Sequence, residues 1–436
     1  MELVINFSII TGWFPVVVIA VALGSLLLTV GWRDGAWKSQ LVFGLPAAFV
    51  LTILLALSVH FFKFVPDDFP RTFYLWAWLV IFSLVVAILG WPKGGWVLRP
   101  LSIIAVLFCF LAACTVINQQ FGYYPTLERA LGKDAANFTS LPALQAIRDQ
   151  VRDTGHLPDH GSTINVTIPP TKSKFQTGQA EVYIPPAWFN NPVPALPVIV
   201  LIAGYPGMPT DWTRAAFADT TANEFAAAHK GVAPILVMPD SNGAAQDTEC
   251  TNSKLGDAET YLTEDLPAYM RTEFNANTGA HSFAVAGLSA GGTCATVLAL
   301  RNPKMFPDFA TYSGYSAETF KTSDKAATIA TLFNGSLAEF NKYDPTTLLT
   351  DNKFPTTSAW FETGAQDAAL LPDAQHLQRF ADKAGLAQVC FFSPSGGHDF
   401  PFWTRAFKDS LPWLSWKLGL TQAPTDSLAK CTPPIH

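Results

Sequence analysis

A serine lies in a short glycine-rich stretch between an apolar run and a helical segment. The stretch is Gly287-Leu-Ser-Ala-Gly-Gly292, the run before it is His281–Ala286, and the segment after it is Thr293–Arg301. A strand, a G-x-S-x-G turn and a helix in this order hold a serine at the tip of a tight turn, where its hydroxyl can attack a substrate. We therefore predict that Ser289 is a catalytic nucleophile. The alternative is an ordinary strand-to-helix turn that contains a small residue.

A serine hydroxyl is a weak nucleophile at neutral pH and needs a base, usually a histidine. Among the eight histidines, His398 stands out because it lies on the glycine-containing loop Ser395–Trp403. This loop follows the last predicted strand, Gln388–Phe392, where a catalytic base is expected. We predict that His398 is the base. The alternative is a loop histidine that pairs with the charge of Asp399.

The acid that orients the base should follow a strand and lie between the serine and the histidine in the chain. Asp367 meets both conditions, because it lies just past the predicted strand Ser358–Glu362. Glu362 is a second candidate at the end of that strand, where its side chain could point to either face. Asp344 is a third, although an aspartate before a proline more often starts a turn or caps a helix. We predict that Asp367 is the acid.

The oxyanion of a tetrahedral intermediate needs two N–H donors that are already in position. One should be the backbone N–H of Ala290, directly after the nucleophile. The second should come from the loop after the first central strand, which is Ile202–Met208 in this chain. Two glycines let the backbone of this loop approach a substrate closely. We predict that Tyr205 supplies the second donor.

The elements that must position these residues alternate between short apolar runs and helical stretches. This alternation predicts a parallel sheet with helices on both faces, and catalytic residues at the carboxyl ends of its strands. Two earlier runs, Ser162–Ile168 and Gln179–Ile184, are predicted to be half-exposed antiparallel edge strands, and Thr421–His436 an irregular tail. The predicted central strands are Pro197–Ala203, Ala233–Met238, His281–Ala286, Phe309–Tyr312, Ser358–Glu362 and Gln388–Phe392.

From about Ser162 to Leu418 the chain resembles the esterase D-type branch of the α/β hydrolases. This branch includes formylglutathione hydrolases, siderophore esterases and the secreted mycolyltransferases. The stretches that carry the resemblance are Ala203-Gly-Tyr205, Met238-Pro-Asp-Ser-Asn-Gly243, Gly287-Leu-Ser-Ala-Gly-Gly292, Pro303-x-x-Phe306, Tyr312-Ser-Gly314, Gly364-x-x-Asp367 and Gly397-His-Asp-Phe-Pro-Phe-Trp403.

The resemblance implies an α/β-hydrolase fold and the same roles for Ser289, Asp367, His398, Tyr205 and Ala290. The chain departs from the mycolyltransferases in two ways. Those enzymes use a glutamate as the acid, whereas an aspartate fits the esterase pattern, and they are secreted without membrane helices. The last motif resembles the G-H-x-W-x-x-W run of these enzymes, with Phe400 in place of the first tryptophan.

The first third of the chain contains four apolar runs that approach or reach the length of a membrane span. Their cores lack acidic and basic residues other than histidine, and tryptophans and tyrosines cluster at their ends, as at a membrane interface. We predict a membrane region with four transmembrane helices over residues 1–120, a linker with a short helix over 121–160 and the catalytic domain over 161–436. The alternative is a set of buried helices in a soluble protein. The runs are Trp13–Val30, Leu41–Phe62, Thr72–Trp91 and Leu101–Ile117.

Four of the six cysteines lie in the polar part of the chain, and they allow three pairings. An even number fits disulfides in an oxidising compartment, while free buried thiols are the alternative. Cys294 follows the nucleophile and Cys250 follows a neighbouring strand, so we expect these two to pair. The charges between the apolar runs do not decide the orientation in the membrane. The cysteines and the resemblance to secreted enzymes favour a catalytic domain outside the cytoplasm.

Composition excludes several other functions. The formal net charge is −6 with 14% charged residues, and no basic patch suggests binding to nucleic acid. No C-x-x-C motif or cysteine–histidine cluster suggests a metal, and we expect no cofactor.

The leading interpretation is a membrane-anchored serine esterase that hydrolyses a lipid or cell-envelope ester through an acyl-enzyme. The first alternative is an acyltransferase of the mycolyltransferase type that moves the acyl group to a sugar or lipid alcohol. The second is a non-catalytic membrane scaffold.

Overall fold

The chain divides into two compact units, residues 1–134 and 135–436. The structure, a computed structural model, describes residues 7–31, 35–62, 69, 71–92, 94–132, 138–243, 247–320, 324–424 and 431–432. The two units are described separately below.

The described residues of the first unit form four long helices and one short helix. Helix α1 packs on α4, α4 on α3, and α3 on α2. Small side chains such as Ala22, Ala105 and Ala112 are buried between the helices, whereas Leu27 and Leu107 point outward and are exposed. Each long helix is long and apolar enough to cross a membrane. The helices are α1 (Trp13–Gly31), α2 (Gly35–Phe62), α3 (Arg71–Gly90), α4 (Leu98–Phe121) and α5 (Leu127–Ala130).

The second unit is built on a sheet that has ten strands among the described residues, in the order β1-β2-β3-β5-β4-β6-β7-β8-β9-β10. Strand β3 runs antiparallel to both of its neighbours, and β10 runs antiparallel to β9. The remaining pairs are parallel, as the alternation in the sequence predicts. The strands are β1 (Phe138–Thr139), β2 (Ser162–Val166), β3 (Ala180–Ile184), β4 (Val198–Ile202), β5 (Ile235–Met238), β6 (Phe283–Leu288), β7 (Asp308–Tyr312), β8 (Ser358–Glu362), β9 (Gln388–Phe392) and β10 (Cys431–Thr432).

Helices cover both faces of this sheet. A 3₁₀ turn lies at Pro186–Phe189, a π-helical turn at Tyr261–Asp265 leads into α10, and a small two-stranded ribbon is formed by Asn252–Ser253 and Gly256–Asp257. The helices are α6 (Leu141–Thr154), α7 (Thr210–Arg214), α8 (Ala218–Ala228), α9 (Ala258–Thr260), α10 (Leu266–Phe274), α11 (Ala290–Arg301), α12 (Lys325–Phe333), α13 (Leu337–Asn341), α14 (Pro345–Asp351), α15 (Leu371–Ala384) and α16 (Phe400–Lys417).

The core lies in two layers, one on each face of the sheet. On β4, Val198 and Val200 point into the layer under α6, α10, α11 and α15, while Ile199 and Leu201 point into the layer under α7, α8 and α16. Because alternate residues of a strand face opposite sides, a strand covered on both faces reads as one continuous apolar run. This arrangement confirms the predicted α/β-hydrolase fold, a mostly parallel sheet between two helical layers.

Two expectations about the periphery of the sheet were wrong. Strand β3 is fully buried rather than half-exposed, because it pairs with β2 on one side and β5 on the other. The tail after Thr421 is not wholly irregular, because β10 adds an edge strand to β9.

Candidate active site

The Ser289 turn connects β6 to α11 at the carboxyl end of the sheet. Ser289 has a φ of +54°, a left-handed conformation that a residue other than glycine adopts only under constraint. A Cβ atom on Gly287 would overlap the carbonyl of Gly291, and one on Gly291 would overlap the carbonyls of Ile202 and Ala203. The two glycines therefore allow the chain to turn sharply, and the turn presents the serine hydroxyl at its tip.

Three of the predicted side chains lie in one chain of hydrogen bonds. The distance from Ser289 Oγ to His398 Nε2 is 3.0 Å, and the distance from His398 Nδ1 to Asp367 Oδ2 is 2.8 Å. His398 lies on the loop between β9 and α16, and its ring makes a T-shaped contact with the ring of the buried Trp403. In such an arrangement the imidazole can take a proton from the hydroxyl while the carboxylate fixes the ring and its tautomer.

Asp367 is buried on the loop after β8 and is held in its ionised form. Burial by itself would raise the pKa of this carboxyl. The hydrogen bond and charge attraction of His398 and a hydrogen bond from the Leu370 N–H outweigh burial, so the pKa lies below its ordinary value. Asp367 therefore provides a fixed negative charge beside the histidine ring at neutral pH.

The two other candidate acids have different partners. Glu362 accepts a hydrogen bond from Trp360 Nε1 at 2.9 Å within β8. Asp344 caps α14, where its carboxylate accepts hydrogen bonds from the Thr347 N–H at 2.9 Å and the Thr347 hydroxyl at 2.6 Å. The carboxylate that the structure places 2.8 Å from His398 Nδ1 is that of Asp367.

The two predicted oxyanion donors, Tyr205 and Ala290, border one small cavity. Its walls include Gly204, Tyr205, Ala290 and Gly291. Ala290 is the first residue of α11, so its N–H has no carbonyl partner within the helix. A Cβ on Gly204 would come within 3.2 Å of the Ser289 Cβ, which shows how closely this backbone approaches the serine.

Two disulfides link the polar cysteines. Cys250 and Cys294 form the first, which ties the loop after β5 to α11, and Cys250 and Cys294 also border the small cavity. Cys390 and Cys431 form the second, which ties β9 to β10. The sequence left the second pairing open, because nothing local places residue 431 beside β9.

Sequence reasoning missed one backbone contact at the turn. The Ser289 N–H donates to the Tyr312 carbonyl at 2.8 Å, so the end of β7 helps to hold the nucleophile. The position of Tyr312 at the end of a predicted strand was the one available signal. Within the described ranges, no group of three or more histidine, cysteine, aspartate and glutamate side chains could hold a metal ion.

The family model named Esterase matches residues 176–414, which contain all the residues of this site. The chain belongs to the esterase family. An uncharacterized protein of Corynebacterium glutamicum is 30% identical to this esterase-family chain over 371 residues, which cover 81% of this chain and 84% of that protein. This share is larger than residues 135–436 alone could provide, so the match extends into the four-helix unit.

Solved structures are similar to part of this esterase-family chain. A ferulic acid esterase is 19% identical, covers 59% of this chain and 99% of its own, and superimposes with a TM-score of 0.51. An S-formylglutathione hydrolase from Agrobacterium tumefaciens is 19% identical, covers 61% of this chain and 98% of its own, and has a TM-score of 0.49. At 19% identity the similarity to the ferulic acid esterase shows the fold alone.

Proposed function

We propose that this protein is a membrane-anchored serine esterase that hydrolyses a lipid or cell-envelope ester. The observation that carries the proposal is the hydrogen-bonded chain from Ser289 through His398 to Asp367 at the tip of the β6–α11 turn. Membership of the esterase family supports the same chemistry.

The proposed reaction begins when His398 Nε2 takes the proton of Ser289 Oγ as that oxygen attacks the ester carbonyl carbon. Asp367 stabilises the imidazolium that forms. The backbone N–H groups of Ala290 and Tyr205 bind the oxyanion, and loss of one such donor typically costs about 3–4 kcal/mol of barrier.

The intermediate collapses when the bond from carbon to the alcohol oxygen breaks and His398 protonates the departing alcohol. Water then attacks the acyl-enzyme with His398 again as the base, which releases the acid and restores Ser289.

The membrane helices support a lipid or envelope substrate. They belong to the same chain as the catalytic unit and would keep it near a bilayer, which raises its effective concentration towards lipid esters. The two disulfides in the second unit support a catalytic domain outside the cytoplasm, because disulfides persist in oxidising compartments.

The test is hydrolysis of p-nitrophenyl butyrate by the full-length protein in detergent, together with labelling by a fluorophosphonate. Ser289→Ala should abolish labelling and leave only the slow residual rate of a site without its nucleophile. Ser140→Ala, at the start of α6, is the matched control and should retain both the fluorophosphonate labelling and the rate of ester hydrolysis.

Labelling of Ser289→Ala, or a rate within a few-fold of the parent, would show that the nucleophile lies elsewhere. A parent that neither reacts with the probe nor hydrolyses an ester would favour the scaffold. An ester product formed when an alcohol is added would favour the acyltransferase.

A further inference from the structure

A cavity of about 510 Å³ lies beside the oxyanion loop, on the side of β5 and β3. One wall is the loop segment 207–210, a second is the segment 240–243 after β5, and the third comes from β2 and β3. On these strands Asn165 pairs with Glu181, and Glu181 pairs with Met238 at the carboxyl end of β5. We call this space the side cavity. It lies at the end of the sheet that carries Ser289.

The side cavity borders the proposed reaction centre. Gly207 and Met208 line it and belong to the same loop as Gly204 and Tyr205. Asn242 lines both the side cavity and the small cavity beside Ala290. A substrate whose carbonyl lies at the oxyanion donors could therefore extend another part of the molecule into the side cavity.

Several polar side chains that line the side cavity have no hydrogen-bond partner within the described part of the chain. The side-chain amides of Asn165, Gln179 and Asn242 make no hydrogen bond to a described residue, and those of Asn165 and Gln179 are exposed. A side-chain amide both donates and accepts hydrogen bonds. These groups match a ligand that carries several hydroxyl groups.

Glu181 adds a deeply placed carboxyl to the same wall. Its side chain is 2% exposed, and its Oε2 accepts a hydrogen bond from the Thr213 hydroxyl at 2.7 Å. Burial raises the pKa of this carboxyl to about 7. Near neutral pH a large fraction of molecules therefore carries a neutral carboxylic acid here, which can donate as well as accept a hydrogen bond.

The charges of the side cavity do not favour an ionic ligand. Among its described lining residues, Arg214 and Asp240 carry opposite charges, and Glu181 is neutral in a large fraction of molecules near pH 7. Asp240 in turn accepts hydrogen bonds from the backbone N–H groups of Gly178, Asn242 and Gly243, which occupy its carboxylate. A plain acyl chain is also unfavourable, because it would cover polar groups without replacing their hydrogen bonds to water.

Two apolar side chains lie at the rim. Phe138 is 43% exposed and Met208 is 56% exposed. They can cover the C–H face of a ring whose hydroxyl groups reach the amides.

We propose that the side cavity binds a neutral polyhydroxylated part of the ester substrate, a sugar or another polyol. This inference rests on the proposed function, because it places the sugar or polyol beside an ester that Ser289 attacks.

The test compares 6-O-octanoylglucose with methyl octanoate as substrates of the full-length protein in detergent. In the double variant Asn165→Leu/Gln179→Leu, the KM for the glucose ester should rise about tenfold more than the KM for the methyl ester. A tenfold difference in binding is the effect expected when the glucose ester loses about two hydrogen bonds between neutral groups and the methyl ester loses none. The single variant Gln179→Leu should show a smaller change in the same direction.

Gln150→Leu, on the exposed surface of α6, is the control and should leave the ratio of the two KM values unchanged. The double variant must first be shown to fold and to react with the fluorophosphonate. If the KM values for the two esters then change equally, or if neither changes, the proposal is overturned. Failure of Ser289→Ala to abolish hydrolysis would instead overturn the proposed function, so the two failures can be told apart.

Discussion

The carboxylate of Asp367 is the charge on which the orientation of His398 depends. We expect Asp367→Asn to lower kcat for p-nitrophenyl butyrate by about four orders of magnitude. The amide would keep the shape of the side chain but would favour the wrong tautomer of the His398 ring. Steady-state kinetics on the full-length variant, with circular dichroism to check its folding, provides the measurement.

Glu362→Gln is the matched control for this change. The Glu362 carboxylate accepts a hydrogen bond from Trp360 Nε1 within β8. We therefore expect that replacing it with the neutral amide of glutamine changes kcat by less than about tenfold. If Glu362→Gln proved the more damaging of the two, the acid would be Glu362, and the site would be closer to the mycolyltransferase pattern.

Glu181 should make the stability of the protein depend on pH. Its pKa is raised to about 7 in the folded protein from an ordinary value of 4.5, so between these pH values the folded state binds the proton more tightly than the unfolded state. Stability is therefore lost as pH rises from about 4.5 to 7. We expect the melting temperature of Glu181→Gln to fall less between pH 5 and pH 8 than that of the parent.

The exposed Glu224 offers a control, because Glu224→Gln should keep the pH dependence of the parent. If the melting temperatures of Glu181→Gln and the parent change equally between pH 5 and pH 8, ionisation of Glu181 does not lower the stability of the folded protein.

At the scale of elements, the disulfide between Cys250 and Cys294 ties the loop after β5 to the helix that follows Ser289. The two cysteines are 44 residues apart, and closing a loop of this length stabilises a protein by on the order of 4 kcal/mol. Replacing both by serine should lower the melting temperature. It should also lower kcat, because both residues border the small cavity beside Ala290.

The second disulfide is a closely matched control, because Cys390 and Cys431 are 41 residues apart. Removing it should lower the melting temperature by a similar amount and leave kcat near that of the parent. Equal losses of kcat in the two double variants would show that the first disulfide contributes stability alone.

At the scale of the whole molecule, we expect the second unit to lie outside the cytoplasm. A cysteine introduced as Thr421→Cys should react with a membrane-impermeant reagent on intact cells. Non-reducing peptide mass spectrometry should recover both disulfides. The physical basis is the even number of polar cysteines and their pairing in the structure.

Labelling at Thr421→Cys only after lysis, with all four polar cysteines recovered as free thiols, would place this unit in the cytoplasm. The envelope substrate would then be excluded, whereas the serine chemistry would remain to be judged by Ser289→Ala.

The sequence by itself determined the features that depend on neighbouring residues. The strand, turn and helix around Ser289 can be predicted from consecutive residues, because the glycine spacing and the apolar run are local features of the sequence. The four long helices are equally local, since a span requires only continuous apolar length. Chain order and strand ends were enough to nominate His398 and Asp367.

The tertiary structure decided what depends on distant parts of the chain. Which of Asp367, Glu362 and Asp344 contacts His398 depends on the direction of each side chain. The alternation of side chains along a strand does not determine this direction at the last residue of the strand or in the loop that follows. The burial of β3 and the pairing of Cys431 follow from strand order. The side cavity has walls from β2, β3 and two loops, and only long-range packing brings these segments together, so no local pattern could have predicted it.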